Sequence, residues 1–104
     1  MRTGTFTHDG ATYDLAALSV LIIDMPVVGF AIDALKWVLA HDTPDPERLR
    51  TAVMEEPIFV AYDKLGRLTV IDGLHRLHNA VTQGREMLYG VLVTQAHLCQ
   101  VRLD

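Results

Sequence analysis

The chain has 104 residues, half of them hydrophobic, and a formal net charge of -4. That length holds one domain, residues 1-104, around a single core, and the apolar fraction excludes a disordered chain. A negative balance without any run of five or more Lys or Arg argues against strong general nucleic-acid binding, which depends on clustered cations releasing counterions.

A single cysteine, Cys99, leaves no intrachain disulfide to form and points to no oxidising compartment. The stretch from Val20 to Ala40 is apolar enough to raise a membrane span. It contains Asp24, Asp33 and Lys36, each costing roughly 2.5–3.5 kcal/mol at a bilayer centre, and is further interrupted by Pro26 and Gly29. A buried core segment, no membrane contact and a cytoplasmic location are expected. Met1 to Gly10 is polar, unlike a signal peptide.

In chain order, Thr3 to Thr7 and Ala11 to Tyr13 alternate around His8-Asp9-Gly10, a hairpin signal. Asp14 can cap a short helix running to Leu18. The β-branched run Val20 to Ile23 reads as a buried strand or extended segment. A helix is expected from Asp33 to about Ala40, with Leu35, Val38 and Leu39 near one face and Trp37 off that stripe. Thr43-Pro44-Asp45-Pro46-Glu47 is a helix-start signature, with Pro46 at the first helical position; Leu49, Ala52 and Val53 form the apolar face that follows. Pro57 to Asp63 and Arg67 to Ile71 read as a second hairpin around Lys64-Leu65-Gly66. A helix from Leu74 to Gln83 buries Leu74, Leu77, Ala80 and Val81, and Gly84 ends it as a left-handed cap. Met87 to Val93 is a strand, and Ala96 to Val101 a last short turn. The order specifies a compact α+β fold, a small mixed sheet with helices packed around it.

The chemistry concentrates where the strand runs through Asp72-Gly73 straight into a helix. The first amides of a helix have no intrahelical acceptor, and its positive end can hold an anion. Arg76 falls in the first turn, where its fork could take two phosphate oxygens; His75 beside it could donate to phosphate or move a proton near neutral pH. Two readings stay open. Asp72 could itself be the cap, blocking an anion, or Gly73 could be the cap, leaving Asp72 to meet a metal ion or a ligand hydroxyl.

The stretches Glu56-Pro57-Ile58-Phe59-Val60 and Gly66-Arg67-Leu68-Thr69-Val70-Ile71-Asp72-Gly73-Leu74-His75-Arg76-Leu77, followed by Ala80 and Gly84, resemble the core of the ParB/sulfiredoxin-like superfamily. The resemblance is best over residues 57-93 and loose before them. It implies a Gly-x-x-Arg turn that binds nucleotide phosphates through Gly73, Leu74, His75 and Arg76. Leu74 stands where sulfiredoxins carry the catalytic cysteine, so sulfiredoxin activity is not expected. The free-serine kinases of the superfamily have an Asp-Gly-His-His-Arg turn, which Asp72, Gly73, His75 and Arg76 match. Those enzymes also use an acidic residue from the first half, where Asp24 and Asp33 are available. Partition-type members add a helix-turn-helix and a dimerisation domain that this sequence does not contain.

The resemblance therefore implies a nucleotide ligand, ATP or ADP ahead of CTP and carried with Mg²⁺. The reaction it suggests is phosphotransfer or phosphohydrolysis, with His75 and Asp72 as candidate catalytic groups. The alternative is a non-enzymatic interaction or regulatory module of the phage or plasmid accessory type, using an apolar first-half surface around Phe30 and Trp37 to bind a protein partner or a second copy. A nuclease is disfavoured by the acidic balance and by the lack of a metal-binding carboxylate cluster. No resident metal site is expected; His75, His78 and Asn79 share a helix edge but lack the usual ligand spacing. Phe30 and Trp37 could instead line a nucleobase pocket, and Arg48 and Arg50 could reach a ligand, although packing and solvated surface are the ordinary roles.

Overall fold

The computed structural model describes residues 3–41 and 56–104. Among these, the chain folds as α+β with two small sheets and four α-helices. The expected helix start at Pro46, its apolar face, and Arg48 and Arg50 lie outside the described residues.

The first sheet is the hairpin β1 (Thr5–His8) and β2 (Ala11–Asp14), with His8 opposite Ala11. Asp9 and Gly10 both have positive φ, 50° and 80°, the two-residue turn whose twist matches that of the strands. His8 is buried, and its Nε2 lies 3.2 Å from the Tyr62 carbonyl, tying the hairpin to the second sheet. Helix α1 (Leu15–Leu21) follows at once, with the Asp14 carboxylate accepting from the Ala17 amide at 3.2 Å.

That helix corrects the extended reading of Val20 to Ile23. Leu15, Leu18 and Ile22 recur at i, i+3 and i+7 and are buried together, so a capped amphipathic helix overrides the β-branched composition. Val20 and Ile23 are left exposed rather than buried.

The second sheet has the order β3-β6-β4-β5: β3 (Val28–Ala31), β4 (Ile58–Tyr62), β5 (Leu68–Asp72) and β6 (Met87–Leu92). β4 and β6 are parallel and the other pairs antiparallel. No local sequence signal marks β3. Its four residues gain their strand geometry from pairing with β6, a partner nearly sixty positions later. The helix expected from Asp33 is α2 (Ile32–Leu35), and it tightens into a 3-10 turn over Lys36–Ala40. Leu35 and Val38 are buried as expected.

Central strand β4 explains the layering. Ile58 and Val60 point into one core, with Phe30, Leu35, Leu77 and Leu88; Phe59 and Ala61 point into the other, with Tyr13, Leu18, Val91 and Leu98. Helix α3 (Leu74–Thr82) and α2 cover the first face. The hairpin, α1 and helix α4 (Gln95–Gln100) cover part of the second. In α3, Leu77 and Ala80 are fully buried and Leu74 packs against them, whereas Val81, expected inside, lies at the exposed edge.

Candidate functional site at the start of helix α3

The β4–β5 turn is built by Asp63, whose Oδ1 accepts from the amides of Leu65 and Arg67, each at 2.9 Å, while Oδ2 accepts from Arg67 Nε at 3.0 Å. The amide of Arg67, first among these donors, holds the Asp63 carboxyl below its ordinary pKa of 3.8. A turn fixed this way sets the register of β5 as far as Val70 opposite Val60; a shift of one residue then places Asp72 opposite Phe59, where Gly73 and α3 depart from the sheet.

Gly73 occupies the N-cap position, at φ 119° and ψ 21°, and brings no side chain to the helix amides. Of the two capping readings left open by the sequence, the N-cap is therefore Gly73. Packing also demands glycine here. A Cβ at this position would lie 2.4 Å from Ile58 Cγ2 and 3.1 Å from Arg76 Nη1.

Beside the turn is a cavity of about 270 Å³, lined by Thr7, Val70, Ile71, Asp72, Gly73, Leu74 and His75. The structure thus brings Asp72, Gly73, Leu74 and His75 together around one space at the positive end of a nine-residue helix. Among the described residues, Asp72 is the only carboxylate that lines it. Thr7 joins them from the first hairpin, a residue that no local sequence signal marks, because only the packing of β1 beside β5 brings it there.

Arg76 is placed differently. It does not line this cavity. Its side chain is 13% exposed and reaches back to the start of β4, where Nη1 donates to the Pro57 carbonyl at 3.3 Å and Nη2 donates to Glu56 Oε2 at 3.0 Å. In sequence, Glu56 stands out only as the residue before the Pro57-Ile58-Phe59-Val60 stretch. The structure makes it an ion-pair partner of the turn arginine, adjacent to Gly73.

Other residues singled out from sequence have structural roles. Trp37 donates from Nε1 to the Leu68 carbonyl at 2.9 Å and carries the Arg67 guanidinium 4.2 Å above its ring. Phe30 is buried in the core beneath α2 and α3. Neither lines the cavity, and neither forms an exposed apolar surface. Asp33 makes an exposed ion pair with Lys36 at 2.9 Å, and neither it nor Asp24 borders the cavity. His97 closes a capping box with Thr94 at the start of α4. Among the described residues, no three His, Cys, Asp or Glu side chains come together as metal ligands, and no helix is long and apolar enough to cross a membrane.

Comparison of the chain with protein-family models and with the curated proteins finds no match.

Proposed function

We propose that the chain is a nucleotide- or phosphate-binding domain of the ParB/sulfiredoxin-like kind, with its ligand at the start of α3. The observation that carries this reading is the cavity of about 270 Å³ at a helix N-terminus whose cap residue is a glycine. Phosphate oxygens would sit against the first-turn backbone beside Gly73 and Leu74. His75, on the cavity wall, would donate to a phosphate oxygen or accept a proton from an attacking hydroxyl. Asp72 would orient that hydroxyl or a Mg²⁺ ion arriving with the phosphates, since a lone carboxylate does not hold the ion by itself. Arg76 would stabilise charge from beside Gly73 once its fork leaves Glu56. ATP or ADP is the favoured nucleotide, and the cytoplasm the favoured location.

The test is isothermal titration with ATP, ADP, CTP and GTP in the presence of Mg²⁺, on the wild type and on His75→Ala and Arg76→Ala. The reading predicts saturable binding of one nucleotide that weakens at least about tenfold, some 1.4 kcal/mol, in both variants. Binding to none of the four, or binding unchanged in folded variants of both residues, overturns it.

A second reading is favoured by a separate observation. Val20, Ile23 and Val27, all in the first half, are exposed around an apolar groove of about 360 Å³ that also includes Phe59 and Val91. A protein-interaction module would use this surface, in place of the Phe30 and Trp37 face expected from sequence.

A further inference from the structure

We infer that the first hairpin forms a second wall of the phosphate site, where Thr7 donates to a phosphate oxygen from its hydroxyl and its amide. This rests on the nucleotide reading and adds to it a residue from outside the Asp72-Gly73-Leu74-His75-Arg76 turn.

The register of the hairpin decides where the backbone of Thr7 points. A two-residue turn is closed by a hydrogen-bonded pair, here His8 and Ala11, and in an antiparallel ladder that pairing recurs at every second residue. Phe6 and His8 therefore bond to β2, while the N–H and C=O of Thr7 point away from it. Thr12, opposite Thr7, shows the same alternation. Its amide turns outward to donate to the Asp104 carboxylate at 3.2 Å, and its carbonyl accepts from the Leu103 amide at 2.9 Å. Among the described residues, the outward groups of Thr7 and its hydroxyl have no hydrogen-bond partner.

β5 turns a similar edge toward the cavity. The Asp63 amide bonds to the Arg67 carbonyl, and the next carbonyl, that of Leu68, faces outward and accepts from Trp37 Nε1 at 2.9 Å. Val70, two residues on, faces the same way, and both Val70 and Thr7 line the cavity.

These two edges do not pair with each other, yet Cα atoms of β1 and β5 come within 8 Å. A strand inserted between them would need about 9.5 Å, two strand spacings. What the gap suits is a compact group with several acceptor oxygens. A phosphate is such a group, able to accept from Thr7 and from the first-turn amides of α3 together. The outward carbonyls beside those donors suit the waters of a Mg²⁺ ion carried with it.

β1 is held in place before any ligand arrives. Phe6 stacks on Tyr13 at 5.2 Å and buried His8 reaches the Tyr62 carbonyl, both from the core side of the strand. Thr7 stands on the other side, exposed.

Three variants test the contact by titration with ATP, ADP, CTP and GTP in the presence of Mg²⁺. Thr7→Val keeps the β-branched shape and removes the hydroxyl; binding should weaken about three- to tenfold, as for one lost hydrogen bond. Its melting temperature without nucleotide should match the wild type, because the hydroxyl bonds to nothing in the protein. Thr7→Ser, which restores the hydroxyl, should bind within about twofold of the wild type, a few tenths of a kcal/mol. Thr7→Glu sets a carboxylate against the phosphate and should abolish binding. Wild-type affinity in Thr7→Val, an equal loss in Thr7→Ser, or binding retained by Thr7→Glu overturns the inference and leaves the nucleotide reading standing. A wild type that binds none of the four overturns both.

Discussion

Replacing Gly73 by alanine separates what the turn needs for folding from what it offers a ligand. The backbone at φ 119° is one that an L side chain adopts at a cost of at least about 1–2 kcal/mol. The added Cβ would also stand 2.4 Å from Ile58 Cγ2 and 2.8 Å from Ile58 Cβ, and Ile58 is fully buried on the central strand with no room to withdraw. Overpacking of that kind costs about 1–3 kcal/mol. Gly73→Ala is therefore expected to lose about 2–5 kcal/mol, a large part of the ~5–15 kcal/mol that holds a domain together. For a chain of this size that lowers the melting temperature by at least about 10 °C. Gly84→Ala is the internal control, because Gly84 also has positive φ, 71°, but no atom lies within 4 Å of where its Cβ would be. Thermal unfolding followed by circular dichroism measures both. If Gly73→Ala is no less stable than Gly84→Ala, overlap with Ile58 is not what requires the glycine, which is then needed only for its backbone or for a ligand.

Glu56→Gln removes the carboxylate that holds Arg76 Nη2. Because Glu56 is half exposed, stability should change by less than about 1 kcal/mol, while phosphate or nucleotide affinity in titration should rise about two- to fivefold; unchanged or weaker binding counts against competition for the guanidinium. Trp37→Phe deletes the hydrogen bond to Leu68 and weakens the stacking of Arg67, so unfolding free energy should fall by about 1–2 kcal/mol in urea, with no effect on nucleotide binding. Asp63 and Asp104 both have pKa values below the usual 3.8, Asp63 through the Arg67 amide and Asp104 through the Thr12 amide. In the unfolded chain these carboxyls bind protons more readily, so their contribution is complete above about pH 4 and is lost as pH falls through the lower folded values. Acid unfolding of Asp63→Asn should accordingly show a shallower pH dependence in that range than the wild type, and an identical slope would count against the assignment.

Local chemistry was enough to read much of this protein from its sequence. Asp9-Gly10 and Lys64-Leu65-Gly66 specify their hairpins because glycine and short polar side chains set the turn within a few bonds. Asp14 as a cap, Gly84 as a stop, and the Leu77 and Ala80 stripe are likewise properties of adjacent residues. The Asp72-Gly73 turn was visible as a strand running into a helix, and Asp72, Gly73, Leu74 and His75 do share one cavity wall. What depended on distant partners was not visible. β3 exists because β6 offers it a ladder, and Val20 to Ile23 lost its extended form because Leu15, Leu18 and Ile22 bury together against Phe59 and Val91. Arg76 turned from the expected anion to Glu56 and Pro57, and Thr7 entered the cavity from the first hairpin. The distinction is physical: turns and caps are set by bonds spanning a few residues. Which side chain an arginine grips, and which strand finds a partner, are settled only when segments far apart in the chain compete for the same surface.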